Sequence, residues 1–196
     1  LDQSGNGFNA TKTVGTIAKN GAGNGIVLNG STYWSFPDVS AGTTWTLGVW
    51  YKNTGTPGNV YPCIVTAGND GGNSNMLLGF LSPPSLAAAP GFFYGGSFRI
   101  GSSATLTNNI WTSVQVTWDG TTMKTYTNGT LSGTTTPGGS SWNANGNLPY
   151  KIGICWDEGT NSFVTGEIGE VRIYGVPLAQ AQITANFTNT RATYGV

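Results

Sequence analysis

Short runs of alternating apolar and polar residues, each closed off by Gly, Asn, Ser or Pro, recur along most of the chain. A period of two is what a half-buried strand requires, because successive side chains point to opposite faces. Residues 43–52 place Trp45, Leu47, Val49 and Tyr51 on one face and Thr46, Gly48 and Trp50 on the other. In residues 113–118, Val114, Val116 and Trp118 oppose Ser113, Gln115 and Thr117, and Asp119-Gly120 then turns the chain back. Asn128-Gly129 is a second hairpin signal, between residues 123–127 and Leu131. Further strands are expected at 25–28, 32–36, 61–67, 76–81, 92–100, 148–155 and 166–174. Helical spacing occurs only near the end, over 178–187, where Ala179, Ile183 and Phe187 recur every fourth residue behind Pro177. The pattern predicts an all-β chain, with ten or so strands in two packed sheets or a barrel and one short C-terminal helix capping them.

One core is enough for this chain. Its 196 residues, 38% apolar and 12% aromatic, fill a single domain spanning 1–196. Segments 82–91 and 134–147 have linker-like composition, but strands resume after each, so both read as long loops within that domain. No repeat with a period of about 20–50 residues is present.

Charge and histidine content exclude whole classes of function. Charged residues make up 8% of the chain, against about 25% in an average soluble protein, and they sum to zero net charge. Binding to nucleic acid or to an anionic membrane needs a basic surface that this chain does not have. With no His, Ser/His/Asp and Cys/His catalysis and His-based zinc sites are also removed. No run of about 18 apolar residues marks a membrane span, and no leader pattern opens the chain. A start at Leu1 reads as a fragment flanked by neighbouring domains of a longer protein. Cys63 and Cys155 can form one disulfide in an oxidising compartment or remain two buried thiols.

The carboxylates can be taken one by one: Asp2, Asp38, Asp70, Asp119, Asp157, Glu158, Glu167 and Glu170. Asp38 follows Pro37 in a turn, Asp119 makes a hairpin, and Asp70 lies among Gly and Asn. Glu167 and Glu170 sit three apart on one strand and should face opposite ways unless a bulge intervenes. Glu170 and Arg172, two apart, should form a solvent-exposed ion pair. Hydrolysis of a glycosidic bond normally takes two carboxyls about 5–10 Å apart, and adjacent Asp157 and Glu158 make a poor pair. No catalytic residue is therefore assigned. Gly21-Ala22-Gly23-Asn24-Gly25 reads as turns rather than a phosphate loop, and no Gly-x-Ser-x-Gly elbow occurs.

Aromatic residues in polar loops are more informative. Sugar rings present apolar C–H faces that stack on Trp or Tyr, while neighbouring Asn, Asp and Gln bond the hydroxyls. Trp142 lies in the Gly/Ser/Asn segment 138–145, and Trp156 lies beside Asp157, Glu158 and Asn161. These five residues are the candidate ligand-binding set; the alternative is that the two rings fold back to cover the end of the sandwich. The loops flank one expected strand, 148–155, whose eight residues at about 3.3 Å each would hold the rings some 25 Å apart. Trp156, with hydrogen-bonding neighbours at hand, is the stronger candidate. Phe92, Phe93 and Tyr94 read as strand residues partly in the core.

In order along the chain, several landmarks resemble the laminin-G-like or concanavalin-A-like jelly-roll domains. Asp2 to Gly7 is similar to the family's Asp-x-Ser-Gly-Asn-Gly opening, and Val27-Leu28-Asn29-Gly30 to its Leu-x-Asn-Gly strand end. Trp45 to Lys52 resembles Phe-Thr-Ile-Ser-Ala-Trp-Val-Lys, and Trp111 to Gly120 resembles Trp-x-x-Val-x-Val-Thr-Tyr-Asp-Gly. Tyr126-Thr127-Asn128-Gly129 is similar to a Tyr-Val-Asp-Gly hairpin, and Gly166 to Tyr174 to the closing Gly-x-Ile-Asp-Glu-Val-Arg-Ile-Tyr strand that precedes a short helix.

The resemblance implies a two-sheet antiparallel jelly roll, and alternation in the closing strand puts Val171 and Ile173 on one face, in the core beside Trp45, Leu47 or Val116. It implies binding of sugars or proteins. The Glu-x-Asp-x-x-Glu strand of the glucan-hydrolysing members is absent, so no catalytic role carries over. Related domains hold a structural calcium ion with an acidic residue near the start and the Asp of the closing strand, which here is Gly169. Asp2 alone would be a weak site, so no metal or other cofactor is expected and calcium is not favoured. Residues 183–187 and 190–195 also look like the ends of such domains in viral and phage surface proteins. The resulting expectation is a non-catalytic carbohydrate-binding or adhesion module, extracellular or on a virion surface, with a glycan or cell-surface receptor as partner. A fibre or capsid decoration domain is the alternative, and a polysaccharide-degrading enzyme ranks third.

Overall fold

The computed structural model describes residues 3–16, 18–39, 42–54, 63–67, 76–80, 90–94, 97–99, 106–136, 149–154 and 163–196. At 67, 76–80, 90–94 and 97–99 only the backbone is described. In chain order the strands are β1 (Thr11–Val14), β2 (Ile26–Asn29), β3 (Tyr33–Phe36), β4 (Trp45–Asn53), β5 (Cys63–Ala67), β6 (Met76–Phe80) and β7 (Pro90–Tyr94). They continue as β8 (Ser97–Arg99), β9 (Trp111–Trp118), β10 (Met123–Thr127), β11 (Thr130–Thr135), β12 (Tyr150–Ile152) and β13 (Thr165–Tyr174), before helix α1 (Gln180–Tyr194).

Two antiparallel sheets face each other. One runs β1-β3-β12-β5-β6-β7-β8 and the other β11-β10-β9-β4-β13-β2. Trp45, Leu47, Val49, Tyr51, Val114, Val116 and Trp118 from the six-stranded sheet meet Phe36, Ile64, Val65, Tyr150 and Ile152 from the other. This is the jelly-roll sandwich expected from the sequence. The closing strand β13 lies inside its sheet between β4 and β2, with Ile173 opposite Leu47 and Val171 opposite Val49. Both side chains are partly buried against the main core, as the alternation required.

Both faces of the central strands are covered. All eight residues of β9 are buried, including the polar Ser113, Gln115 and Thr117, because α1 lies over the outer face of the six-stranded sheet. Thr46 Oγ1 ties that connection to β4, donating to Val176 O at 2.8 Å and accepting from Leu178 N–H at 2.8 Å.

The helix is longer than expected, 15 residues rather than the span 178–187, and it starts two residues later. Thr188, Asn189, Thr190 and Thr193 are poor helix formers, so propensity alone gave no reason to extend it. Its end is set by Gly195, whose φ of 72 lets Gly195 N–H reach Ala192 O while Val196 N–H reaches Arg191 O. Its start is held by Ala179 N–H donating to Gln182 Oε1 at 2.9 Å.

Three further differences have local causes. Strand β1 has a single apolar residue, and all four of its side chains are exposed, so no alternation announces it. The expected strand 92–100 is two strands, β7 and β8, paired at Tyr94 and Ser97. The Asp119-Gly120 turn spans four residues between Trp118 and Met123, not two. Asp119 Oδ1 accepts N–H bonds from Thr122 at 2.7 Å and Thr121 at 2.8 Å, which hold its carboxyl below the usual carboxylate range.

Candidate functional site

The outer face of the six-stranded sheet carries two of the described carboxylates, Glu167 and Glu170, and an aromatic cluster of Trp50, Trp111, Phe187 and Tyr194. In β13 the register slips between Ile168 and Val171, which lie opposite Tyr51 and Val49, so Gly169 and Glu170 share the position facing Trp50. This bulge corrects the expected placement of the two glutamates: Ile168 and Val171 both reach the core, and Glu167 and Glu170 both lie on the outer face. Each is nevertheless engaged. Glu167 pairs with Lys52 at 2.6 Å and accepts from Asn20 Nδ2 at 2.7 Å, while Glu170 pairs with Arg172 at 2.7 Å. The Glu170–Arg172 pair is the one expected from spacing, though half-buried rather than fully exposed.

Between the two glutamates lies a ring. A Cβ added at Gly169 would stand 2.2 Å from Tyr194 Cε1, so only glycine admits this ring. Tyr194 stacks on Trp50, with centroids 4.4 Å apart and planes at 22°, and tilts against Trp111 at 4.9 Å. Phe187 stacks on the same Trp50 at 5.7 Å, and Trp50 Nε1 donates to Thr190 Oγ1 at 2.9 Å. Lys52 Nζ lies 5.5 Å from the Trp111 ring centroid. Burial pushes the Tyr194 hydroxyl up to about 12. Beside the stack, Gly48, Trp50, Ser113, Gln115, Arg172 and Asn186 line a cavity of about 10 Å³, room for one water and too small for a sugar ring. This face is packed against its own helix. Sequence reasoning missed the cluster because, of the helix residues that build it, only Phe187 falls within the periodic stretch, while Thr190 and Tyr194 lie beyond it; the glycine in the closing strand was a further signal.

The ends of the sandwich are different. At the C-terminal end of β12, Ile154 bridges Phe163, so residues 155–162 leave and return at one place. Gly153 N–H donates to Ile64 O at 2.9 Å, Thr66 Oγ1 to Ile154 O at 2.8 Å, and Val164 N–H to Gly153 O at 3.0 Å. Gly153, at φ 93, packs so closely on Leu28 and Thr32 that a side chain would collide. Gly30 N–H donates to Val164 O, and the Phe163 ring lies 6.3 Å from that of Tyr33. Asn29 Oδ1, accepting from Ser31 N–H, Ser31 Oγ and Thr32 Oγ1, fixes the turn beside these anchors. Cys63, at the start of β5, is disulfide-bonded, and the sequence offers one other cysteine, Cys155.

Trp156, Asp157, Glu158 and Asn161 belong to this connection, and Trp142 to the one that ends before Pro149; all five lie outside the described residues. Their attachment points are described. Pro149 and Ile154 stand at opposite ends of β12, about 17 Å apart at the usual rise, so the two connections leave from opposite ends of the sandwich.

Residues 28–184 match the profile of the concanavalin A-like lectin/glucanases superfamily. The chain belongs to this superfamily. No curated protein sequence matches it. Among solved structures, domain 4 of AbnA, a GH43 extracellular arabinanase from Geobacillus stearothermophilus in complex with arabinotriose, is similar at a TM-score of 0.73 and 22% identity. That match covers 94% of this chain and 90% of the other. The botulinum neurotoxin serotype D binding domain is similar at 0.66 and 17%, covering 93% of this chain and 47% of that one. Trypanosoma rangeli sialidase is similar at 0.67 and 15%, covering 95% of this chain and 30% of that one. The chain thus spans less than half of these last two proteins, and at such identities the likeness concerns the fold.

Within this concanavalin A-like fold, Gly169 stands where related closing strands are expected to carry an aspartate, and Tyr194 fills the space. Among the described residues no three His, Cys, Asp or Glu side chains come together to hold a metal, and no helix is long and apolar enough to cross a membrane. Treatment with a chelator is expected to leave Tm unchanged. A fall of more than about 5 °C, on the order of 1 kcal/mol or more, would reveal a calcium site elsewhere in this fold.

Proposed function

We propose that this domain is a non-catalytic carbohydrate-binding module that takes its ligand at the connection 155–162. The observation that carries the reading is the mounting of that connection: both of its ends are bridged to each other and bonded to β5 and to the turn after β2. A stacking ring is useful only if its base is fixed, because binding then costs little ordering entropy. Trp156 supplies an apolar face, and Asp157, Glu158 and Asn161 supply hydrogen-bonding groups beside it. Trp142, on the connection that leaves from the opposite end of β12, is a separate and secondary candidate. The near full-length similarity to an arabinanase domain crystallised with arabinotriose favours a neutral sugar as the first ligand to test.

A binding role also fits the described carboxylates, since Glu167 and Glu170 are tied into ion pairs on either side of a tyrosine ring. An oxidising, extracellular or surface location fits a disulfide at Cys63. Calorimetric titration with arabinotriose, followed by a glycan panel, tests the reading. Trp156→Ala should keep its Tm and lose about 1 to 3 kcal/mol of sugar affinity, by analogy with base stacking on aromatic rings. Unchanged affinity in that variant would remove Trp156 from the site, and turnover of any polysaccharide on the panel would overturn the non-catalytic reading.

A further inference from the structure

One rim of the six-stranded sheet holds a row of asparagines in fixed positions. At the start of β13, Thr165 lies opposite Asn29, the last residue of β2, and Gly166 lies opposite Asn53, the last residue of β4. Asn53 is buried at 3% exposure, and its Nδ2 donates at 2.6 Å to Oδ1 of Asn108, an exposed residue just before β9. Asn109 N–H donates to Asn53 O at 2.7 Å and Ile110 N–H to Thr107 O at 3.3 Å, which closes a tight turn. Asn29 Oδ1 is filled in its turn by the donors of Ser31 and Thr32. In both Asn29 and Asn108, then, the amide oxygen is taken and the amide nitrogen is left over. Among the described residues neither Nδ2 has a partner, and the exposed Asn109 side chain has none either. Two described non-glycine residues have positive φ: Asn128 makes the β10–β11 hairpin, and Asn109, at φ 62, holds this turn. Ile110 beside it is an apolar side chain left 48% exposed.

We infer that this rim is a subsite for a neutral oligosaccharide, in which the amide nitrogens of Asn29, Asn108 and Asn109 donate to sugar hydroxyl oxygens and Ile110 covers an apolar ring face. The inference rests on the carbohydrate reading proposed above and puts described residues into that site, because Gly30 N–H donates to Val164 O and so ties this rim to the anchor of the binding connection. An amide whose oxygen is already bonded cannot turn over to offer oxygen in place of nitrogen. Its donor is thus fixed before the ligand arrives, and binding costs little ordering entropy. Asn108 needs only its oxygen to hold the turn to Asn53, so its nitrogen has no structural task. Asn29 and Asn53 stand about 10 Å apart, two strand spacings across β13, a span longer than one sugar ring. Neutral donors suit hydroxyls, and the cation next to Asn53 in the chain, Lys52, is engaged by Glu167, which leaves no free charge of its own for an anion. A backbone held in a sparsely populated conformation beside exposed donors also fits a ligand site better than a plain connection.

The test is a nuclear magnetic resonance titration of the full nitrogen-15-labelled chain with arabinotriose and then with each member of a neutral glycan panel. The side-chain amide signals of Asn29, Asn108 and Asn109 are followed, with the backbone amides of β4 and β9 as an internal control. All three side-chain signals are expected to shift along one saturation curve while β4 and β9 stay still. Asn109→Gly then removes a side chain without described bonds at a backbone conformation that glycine adopts freely, so this variant should keep its Tm. Its sugar affinity should fall about fivefold, the factor that one ordinary hydrogen bond is worth. If a sugar binds while the three signals stay still, or binds Asn109→Gly as tightly as wild type, this inference is overturned and the carbohydrate reading survives elsewhere on the domain. If no sugar of the panel moves any signal, the carbohydrate reading and this subsite fall together.

Discussion

Trp50→Ala should lower the unfolding free energy by about 3 to 5 kcal/mol, the usual cost of removing a fully packed tryptophan. Trp50 is the floor on which both aromatic residues of α1 rest, Phe187 at 5.7 Å and Tyr194 at 4.4 Å, and its indole N–H satisfies Thr190 on the same helix. Removing it takes away apolar area, one hydrogen bond and the surface that orders the second half of the helix. That half has little stability of its own, because its Thr and Asn residues are poor helix formers. For a domain of this size the loss corresponds to a fall in Tm of about 6–20 °C. Far-ultraviolet circular dichroism should show reduced helix before the sheets melt. Trp50→Phe, which keeps a ring in the stack but gives up the bond to Thr190, should cost about 1 kcal/mol. A loss below about 1 kcal/mol for the alanine variant would mean that α1 is held chiefly by the buried Ile183 and by the bonds that Gln180 Nε2 and Thr184 Oγ1 donate to Gly129 O.

The same residues show how far sequence carries. Alternation placed Trp45, Leu47, Val49 and Tyr51 on the core face correctly, because the period of a strand is a local property. It could not show that Trp50, on the other face, would be equally buried, since the burial comes from a helix more than a hundred residues away. Hairpins announced by Asn-Gly were legible for the same local reason: Asn128 and Gly129 take the positive φ values of 49 and 77 that join β10 to β11. The bulge in β13 was not legible, because it is a relation between two strands. Its effect on Glu167 and Glu170 reversed their expected arrangement. The candidate binding residues were read from composition within a loop, and what the structure adds to them is the position and bonding of the anchors on either side.

Gly169→Ala should cost about 1 to 3 kcal/mol, as expected when a methyl group is forced into a filled space. The backbone at Gly169 has no need of glycine for its own conformation; the residue is small because Tyr194 Cε1 would lie 2.2 Å from a Cβ there. Nor can the ring swing aside cheaply, since Trp50 stacks on it and Trp111 tilts against it. A double-mutant cycle separates these causes. With Tyr194→Ala already in place, adding Gly169→Ala should cost nothing and can even stabilise by about 0.4 to 1 kcal/mol, because alanine restricts the unfolded chain more than glycine does. The coupling between the two positions should therefore equal or exceed the whole single-mutant penalty. An equal cost in both backgrounds would show that the strand itself, not the ring, demands glycine. The cycle also bears on ligand binding: a ring locked between Glu167 and Glu170 closes the outer face of the six-stranded sheet, and either variant that loosens it should leave sugar affinity unchanged if binding resides in the connection 155–162 at the end of the sandwich.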